Sequence, residues 1–432
     1  MWHKRLYLCE REIESSIAVK SDIDRLMAER NIDALIVEGP DGLGSANSAF
    51  NYFVNGEKLP GIVLKRRGEP TMLVYSPWEQ HQAEATGLVL VSRDRWNLRE
   101  CMDSQPTRFD GLVEYRRRML HDLGIHGRVA VYGTVEANQS FAMLRALERV
   151  MPDLEIVAEY EQDLVSAARL TKDADEVAAM REVGRKTCLV VQAAVEYIQT
   201  GRPAGDTLVD AHGRAITIGD VKQLIDRELA AQGLEAPQGT IFSQGRDAGL
   251  PHATGELGAT LKLGQAIVFD IFPRPIGGGY YHDMTRTFAI GYASPELQHA
   301  YADVLGVFQH VLSELEARAP TKVYQDMVCT YFEERGHETI GSRYPIEEGY
   351  IHSLGHGLGL EIHEDFSFPS QRDRGDTLVP GAVFSVEPGL YYPSRGYGVR
   401  IEDTIYCTPD GTFESLTPFP FDLVIPIEGV SQ

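Results

Sequence analysis

The chain has 432 residues, a formal net charge of −22 and 24% charged residues. This length favours two domains, because a single hydrophobic core rarely organises so long a chain. The negative charge argues against nucleic acid or an anionic membrane surface as a partner, since both require basic patches. No run of 18 apolar residues occurs, so no membrane span is predicted.

The cysteines and the N-terminal residues predict a reduced, cytoplasmic protein. The five cysteines are scattered and odd in number, and no two have the spacing of a zinc knuckle. The opening stretch, MWHKRLYLCEREIE, contains no apolar core of signal-peptide length. The cysteines are Cys9, Cys101, Cys188, Cys329 and Cys407.

Short apolar runs alternate with amphipathic ones through residues 1–165. A helix is predicted over residues 21–32 and a buried strand over 33–39. Residues 61–76 have the pattern of a β-hairpin, and residues 128–133 that of a further strand. Strands that alternate with helices indicate an α/β domain.

A second domain is predicted over residues 166–432. It begins with a long helix over residues 171–201, where Asp173 and Glu176 form a capping box. A second helix, near residues 220–232, precedes strand-rich sequence, and the order of helices followed by strands then occurs once more. This layout is compatible with an internal duplication, which shows in the order of elements and not in sequence identity.

Two predicted hairpins carry acidic residues within apolar strands. The first has its turn in PRPIGGG, and centring that turn at residues 276–277 places Asp270 opposite Asp283. The second has its turn in PSRG, which places Glu387 opposite Glu402. Facing side chains have Cβ atoms roughly 4.5–5.5 Å apart, so like charges there are destabilising.

Two such carboxylate pairs require a physical cause. Either the carboxyl groups share protons, or a bound cation reverses the sign of the interaction. A solvated strand face would explain one acidic residue, but two facing pairs favour a metal. Because four carboxylates carry more charge than one divalent ion neutralises, two ions are expected, and such sites activate water for hydrolysis.

The stretch HSLGHGLGLEIHE contributes histidines at positions 352, 356 and 363. A pair of zinc ligands on one helix needs helix-forming residues between them, and three glycines oppose that structure. An extended segment, whose glycines allow close approach of the backbone, fits better. One histidine would then join the four carboxylates, a set that suits Mn²⁺, Co²⁺, Fe²⁺ or Zn²⁺.

The order of these motifs resembles that of the pita-bread metallopeptidases, specifically the aminopeptidase P and prolidase branch. The resemblance rests on an Asp within a strand, an Asp before MTRTF, HSLGHGLGLEIHE, VEPGLYY and GVRIED, and it covers most of residues 165–425. It implies a creatinase N-terminal-like α/β domain over residues 1–165. An α+β pita-bread catalytic domain would then cover residues 166–432.

The resemblance also implies a set of metal ligands. Asp283 and Glu402 would bridge both ions, and Glu387 would in addition orient and deprotonate the water. The ions would be Mn²⁺ first, with Co²⁺, Zn²⁺ or Fe²⁺ as alternatives. The implied ligands are Asp270, Asp283, His356, Glu387 and Glu402.

Further residues receive roles from the same resemblance. His252 would help bind the substrate, His363 would assist at the scissile bond, and Arg400 would support the site. His352 is assigned either a packing role or a place behind the ligands, and Tyr391 is assigned to the core.

One departure from the resembling family concerns the first hairpin. Twelve residues separate Asp270 from Asp283, where relatives usually have ten, and Phe272 stands where they have glycine. Two extra residues preserve strand parity, so both aspartates can still face the same side. The longer tip is expected to alter the rim of the site. His282 is expected on the opposite face.

The implied activity is that of a dinuclear metal-dependent exopeptidase, of aminopeptidase P or prolidase type. It would hydrolyse Xaa-Pro bonds through a hydroxide that bridges the ions, in peptides with proline at the second position, and it would form a homodimer. The alternative is a metal-dependent non-peptidase hydrolase or lyase acting on a small molecule. A metal-free enzyme or an inactive binding protein would lack ligands, and all five are present.

Overall fold

The computed structural model describes residues 22–40, 47–160, 162–369 and 376–430. Within these ranges the chain divides into two compact units between Ala168 and Arg169. Cys9 lies outside the described residues, and the other four cysteines are buried free thiols. None of the described helices combines the length and the apolar character needed to cross a bilayer.

The first unit contains a six-stranded mixed sheet. Its strands are β1 (Ala34–Glu38), β2 (Gly61–Arg66), β3 (Met72–Tyr75), β4 (Val89–Ser92), β5 (Gly127–Tyr132) and β6 (Leu154–Val157). The strand order is β4-β3-β2-β1-β5-β6. β2 and β3 pair as the predicted hairpin, and β1 lies antiparallel to β2 and parallel to β5.

Helices connect these strands and supply the rest of the core. They are α1 (Ile23–Glu29), α2 (Ser48–Phe53), α3 (Gln80–Ala85), α4 (Leu98–Asp103), α5 (Arg108–Asp122), α6 (Ala137–Val150) and α7 (Leu164–Arg169). Leu64, Val129, Met119 and Leu147 are among the buried side chains where α5 and α6 meet the sheet. The predicted α/β character of this unit is therefore confirmed.

The described residues of the second unit include the helices α8 (Ala174–Gln199), α9 (Ile218–Ala231), α10 (Pro295–Glu314) and α11 (Lys322–Glu333). The predicted capping box is present, with the Asp173 carboxylate accepting from the backbone of Glu176 while the Glu176 carboxylate accepts from the backbone N–H of Asp173. The cap directs the chain into a helix of 26 residues.

The strands of the second unit form two larger sheets and three two-stranded ribbons. In chain order they are β7 (Arg202–Ala204), β8 (Thr207–Val209), β9 (Leu234–Glu235), β10 (Ile241–Gln244), β11 (Ala266–Ile271), β12 (Arg274–Pro275), β13 (Met284–Ile290), β14 (His356–Gly357), β15 (Glu364–Ser367), β16 (Val383–Val386), β17 (Gly389–Tyr392), β18 (Tyr397–Arg400), β19 (Asp403–Cys407), β20 (Phe413–Ser415) and β21 (Val424–Ile425). The sheet orders are β10-β11-β13-β21 and β15-β14-β16-β19-β20. A bridge between Thr285 and Glu402 links the two sheets.

The first hairpin forms, but the predicted register is wrong by two residues. Asp270 pairs with Thr285, not with Asp283, and Asp283 directly precedes β13. The turn therefore lies one residue later than predicted, within Gly277, Gly278 and Gly279, which have φ of 81°, 114° and 136°. Only glycine adopts such a run of positive φ readily. The two-residue offset keeps both aspartates on one face.

The second hairpin has the predicted register. Gly389 pairs with Arg400 in the ribbon β17-β18, and Val386 pairs with Asp403 in the ladder β16-β19. Both pairs belong to one continuous alignment. Glu387 and Glu402 face each other in the interval between the two ladders, where regular pairing stops.

Candidate metal centre

Asp270 stands in the middle of a row of side chains that crosses the four-stranded sheet. Ile241 of β10 lies opposite it on one side, and Thr285 of β13 lies opposite it on the other. The hydroxyl of Thr285 donates to Glu402 Oε2 at 2.8 Å. A carboxylate from the short segment between β18 and β19 is thereby fixed beside the row that holds Asp270.

His356 reaches the same place from the glycine-rich segment, which is extended here as predicted. A Cβ at position 355 would lie 2.0 Å from the carbonyl oxygen of Ser385, so glycine alone permits this approach to β16. The Nδ1–H of His356 donates to the carbonyl of Gly357 at 3.1 Å. This bond leaves Nε2 unprotonated, 3.4 Å from Glu387 Oε1 and 3.7 Å from Asp283 Oδ2.

The atoms that converge here fit a divalent cation. Asp283, His356 and Glu402 each present one ligand atom, and these atoms lie within 4.8 Å of one another. Asp270 Oδ1 and Asp283 Oδ1 are buried and have no hydrogen-bond partner. Buried polar atoms are nearly always paired, so two orphaned carboxylate oxygens beside a neutral imidazole indicate a site for cations.

Without bound ions, burial and mutual repulsion disfavour the ionised form of these carboxylates. Burial, followed by the charges of neighbouring carboxylates, raises the pKa values of Asp283 and Glu402 well above their usual range. Burial also raises the pKa of Glu387 to about 8. The pKa of His356 falls to about 3, because burial disfavours its cation. Bound cations would remove the repulsion and permit all the carboxylates to ionise.

Arg400 ties the cluster to the protein behind it. Its Nη2–H donates to Asp270 Oδ2 at 2.6 Å, and its Nε–H donates to the hydroxyl of Thr285 at 3.1 Å. Its Nη1–H donates to the hydroxyl of Tyr391 at 2.8 Å. His352 Nδ1–H donates to a backbone carbonyl, so its Nε2 accepts from the same tyrosine hydroxyl at 2.9 Å. These bonds fix one oxygen of Asp270 and leave the other free.

His363 and His252 complete the group. The ring of His363 meets that of His356 edge to face, with centroids 4.3 Å apart. Burial lowers the pKa of His363, which favours a neutral imidazole. His252 lines the same space from the segment that follows β10.

A single cavity of about 610 Å³ collects the sequence-predicted site. His282 does not line it; its buried ring faces Thr417 and Gly184 instead, as predicted. The predicted residues on its wall are His252, Asp270, Asp283, His356, His363, Glu387, Arg400 and Glu402.

Sequence reasoning missed two polar contributions. Tyr391 was assigned to the core, and it is buried, but its hydroxyl links Arg400 to His352. A signal was present, since Tyr391 and Arg400 have the same strand parity in the correctly aligned second hairpin. Glu364 was also missed, although it ends the histidine-rich stretch. It is buried against Arg169 and Lys172, about 190 residues earlier in the chain.

Comparison with known proteins agrees with this geometry. The sequence profile of metallopeptidase family M24 matches residues 178–409. The Bacillus subtilis protein YkvY is 33% identical over 272 residues, covering 61% of this chain and 65% of YkvY, slightly less than two thirds of its length. An Xaa-Pro dipeptidase of Pyrococcus furiosus is 28% identical over 395 residues, 90% of this chain and 94% of that protein.

Solved structures agree as well. The Xaa-Pro dipeptidase from Bacillus anthracis superimposes with a TM-score of 0.72 at 23% identity, covering 95% of this chain and 99% of that one. At that identity the likeness concerns the fold. It confirms the predicted fold class, an α/β N-terminal domain followed by an α+β pita-bread domain.

Proposed function

The chain belongs to metallopeptidase family M24, and we propose that it is a dinuclear exopeptidase that hydrolyses Xaa-Pro bonds. The relatives named as Xaa-Pro dipeptidases support this substrate class. The observation that carries the proposal is the convergence of four carboxylates and one neutral imidazole in one cavity, with two buried carboxylate oxygens left without partners.

Five residues would hold the ions. Asp283, His356 and Glu402 already present atoms within one coordination sphere. Asp270 and Glu387 lie at its edge, and their carboxylates bring the charge to the level that two divalent ions require. When bound, such ions polarise the scissile carbonyl and lower the pKa of water, which are the two chemical contributions that hydrolysis needs.

Arg400 acts as a positioning residue in this scheme. Its three donor groups are committed to Asp270, Tyr391 and Thr285, and its side chain is 4% exposed. The guanidinium therefore orients the carboxylate of Asp270 rather than contacting the substrate. Its positive charge also offsets part of the repulsion among the buried acids.

Glu387 and His363 would move and hold protons. Glu387 lines the cavity, and its Oε1 lies 3.4 Å from His356 Nε2, so an ionised carboxylate there can accept a proton from water and pass it to the leaving amine. The lowered pKa of His363 favours a neutral imidazole, and its side chain lines the cavity, so it can donate a hydrogen bond to the oxyanion as negative charge develops there. Such a donor typically contributes about 3–4 kcal/mol to transition-state stabilisation.

We also propose that His252 contacts the substrate on the far side of the cavity. Four further expectations from the sequence are proposals as well. They are Mn²⁺ as the preferred ion, a cytoplasmic location, a homodimer, and a creatinase N-terminal-like domain over residues 1–165. The four described cysteines, all free thiols, support a reducing environment.

The test is reconstitution of the metal-free protein with Mn²⁺, Co²⁺ or Zn²⁺. Bound metal is counted by elemental mass spectrometry, and hydrolysis is followed for an Xaa-Pro dipeptide and for an Xaa-Pro-Xaa tripeptide. We expect two ions per chain and cleavage of at least one substrate. Two bound ions without cleavage of either would overturn the peptidase proposal and favour a non-peptidase hydrolase.

Asp283→Asn tests the metal site separately. The substitution removes a charge from the centre of the cluster, so the variant should retain fewer than two ions and lose activity. Asp226→Asn, at an exposed position of α9, is the matched control and should keep both. Full metal content in Asp283→Asn would contradict the ligand assignment.

A further inference from the structure

Part of the wall of the cavity is apolar and takes no part in the scheme above. It is formed by Ile241, Pro251, Phe272, Ile351 and Ile362. These side chains line the same space as the carboxylates and histidines. An apolar wall beside a polar reaction centre is the usual arrangement of a pocket that orients its ligand through a few polar groups.

The wall is built directly onto the proposed metal ligands. Ile241 pairs with Asp270 across the β10-β11 ladder, so their side chains are neighbours on one face of the sheet. Phe272 follows Asp270 by two residues and points to the same face. Ile362 directly precedes His363. A substrate whose carbonyl lies at the ligands must therefore place a neighbouring group against this wall.

Phe272 occupies a firmly held position at the base of the hairpin tip. It packs against an apolar cluster that includes Ile362 and Tyr281, while part of its ring remains open to the cavity. The next residues are also fixed: Arg274 donates to Glu235 at 3.0 Å, and its guanidinium lies 5.4 Å from the ring centre of Tyr281. The aromatic ring is thus a preformed part of the wall.

We propose that this wall binds an apolar side chain on the residue that precedes proline, and that Phe272 determines this preference. The inference rests on the proposed function. A proline ring offers only three methylene groups, whereas five apolar side chains form the wall. Because every Xaa-Pro dipeptide carries the same proline, only the side chain of Xaa can use the additional surface in a dipeptide substrate.

The test compares kcat/KM for Gly-Pro, Ala-Pro, Leu-Pro and Phe-Pro, each measured also as a tripeptide if the dipeptide is not cleaved. For the protein itself the ratio of Leu-Pro to Gly-Pro should exceed roughly 10, since a few methylenes in an apolar pocket discriminate by about 10–200-fold. Phe272→Ala should lower that ratio about 10-fold. Phe272→Leu, which retains most of the volume, should lower it less.

Tyr280→Ala is the matched control. Tyr280 packs against the same cluster but does not line the cavity, so its removal should leave the ratio unchanged even if stability falls. Metal content and the melting temperature of each variant are measured alongside.

Three results would overturn the inference. One is a flat preference in the unmodified protein, and another is an unchanged ratio in Phe272→Ala. The third is an equal loss for all four substrates, which would place the proline ring against the wall. Each of these results requires that the protein cleaves Xaa-Pro bonds. If the proposed function is wrong, none of the four substrates is cleaved, and this inference then loses its basis.

Discussion

Neighbouring charges shift the pKa values of three buried acids in opposite directions. Asp283 and Glu402 face other carboxylates, and their pKa values lie well above the usual range. Glu364 is equally buried, but it faces two cations. Although burial alone would raise its pKa, Lys172 and Arg169 lower it to about 2. The protein's own cations therefore neutralise Glu364, whereas Asp283 and Glu402 need an external ion.

Glu364 also organises the segment that carries His363. Its Oε1 accepts from the backbone N–H of Leu360 at 2.8 Å, and its Oε2 accepts from Lys172 Nζ at 2.8 Å. A Cβ at position 359 would lie 2.4 Å from the same carboxylate. The loop from residue 359 to residue 364 therefore folds around this charge, which fixes His363 in front of His356.

Glu364→Gln should destabilise the protein and reduce kcat more than it changes KM. The substitution removes the carboxylate that two buried cations share, a change that typically costs about 3–5 kcal/mol. The loss of kcat follows because His363 is proposed to act on the transition state, and its loop loses its anchor. Urea unfolding at pH 7 measures the first effect, and steady-state kinetics measure the second.

The sign of the pH dependence distinguishes this ion cluster from a packing effect. Because the pKa of Glu364 is lowered from 4.5 to about 2 on folding, its contribution is fully present above pH 4.5 and disappears as pH falls towards 2. The difference in unfolding free energy between the unmodified protein and Glu364→Gln should accordingly decrease as the pH falls below 5. A gap that stays constant over this range would attribute the loss to packing instead.

At the level of secondary-structure elements, sequence predicted which strands carry the ligands but not every register. The parity of the acidic residues survived in both hairpins, because alternation along a strand depends only on the period of two. The turn PSRG is short and ends at Gly396, which has φ 81°, and the predicted register of its hairpin was correct. The longer segment PRPIGGG can turn at several positions, because its three consecutive glycines tolerate many backbone conformations. Tertiary contacts therefore determine where the turn forms.

Those contacts are visible in the structure. Arg274 and Pro275 pair with Glu235 and Leu234 of β9, which pulls the tip of the hairpin towards the end of α9. This pairing is remote in sequence and shifts the turn into the glycines. The same limit explains the missed role of Glu364, whose cations lie near residue 170. Local patterns identify ligand-bearing strands, but they contain no information about such distant partners.

Gly278→Ala tests the turn. Gly278 has φ 114°, outside the regions that residues with a Cβ adopt readily, so we expect a loss of about 1–3 kcal/mol in unfolding free energy. Gly258→Ala is the control, because a Cβ there meets open space and its φ is not positive. Urea titration should separate the two variants. Equal stability would argue that the tip adopts another conformation in solution.

Over the whole molecule, the described residues of the two units have separate hydrophobic cores. All the proposed ligands belong to the second unit, and they come from elements spread between residues 270 and 402. Ions bound there would add to the existing links between the two sheets, which include the bridge between Thr285 and Glu402 and the ion pair of Arg286 with Asp403. A ligand that binds only the folded state stabilises it by mass action, by about 2.7 kcal/mol at a hundred times its Kd.

Metal removal should therefore loosen one unit selectively. In hydrogen–deuterium exchange, a chelator should raise exchange in β11, β16 and β19, which adjoin proposed ligands, and leave β1, β2 and β5 of the first unit unchanged. A stabilisation of 2.7 kcal/mol corresponds to about 100-fold in an opening equilibrium. Asp283→Asn should show the raised exchange before any chelator is added, and a smaller further rise after it than the unmodified protein. An equal rise in both units would mean that metal supports the whole chain rather than the junction of the two sheets.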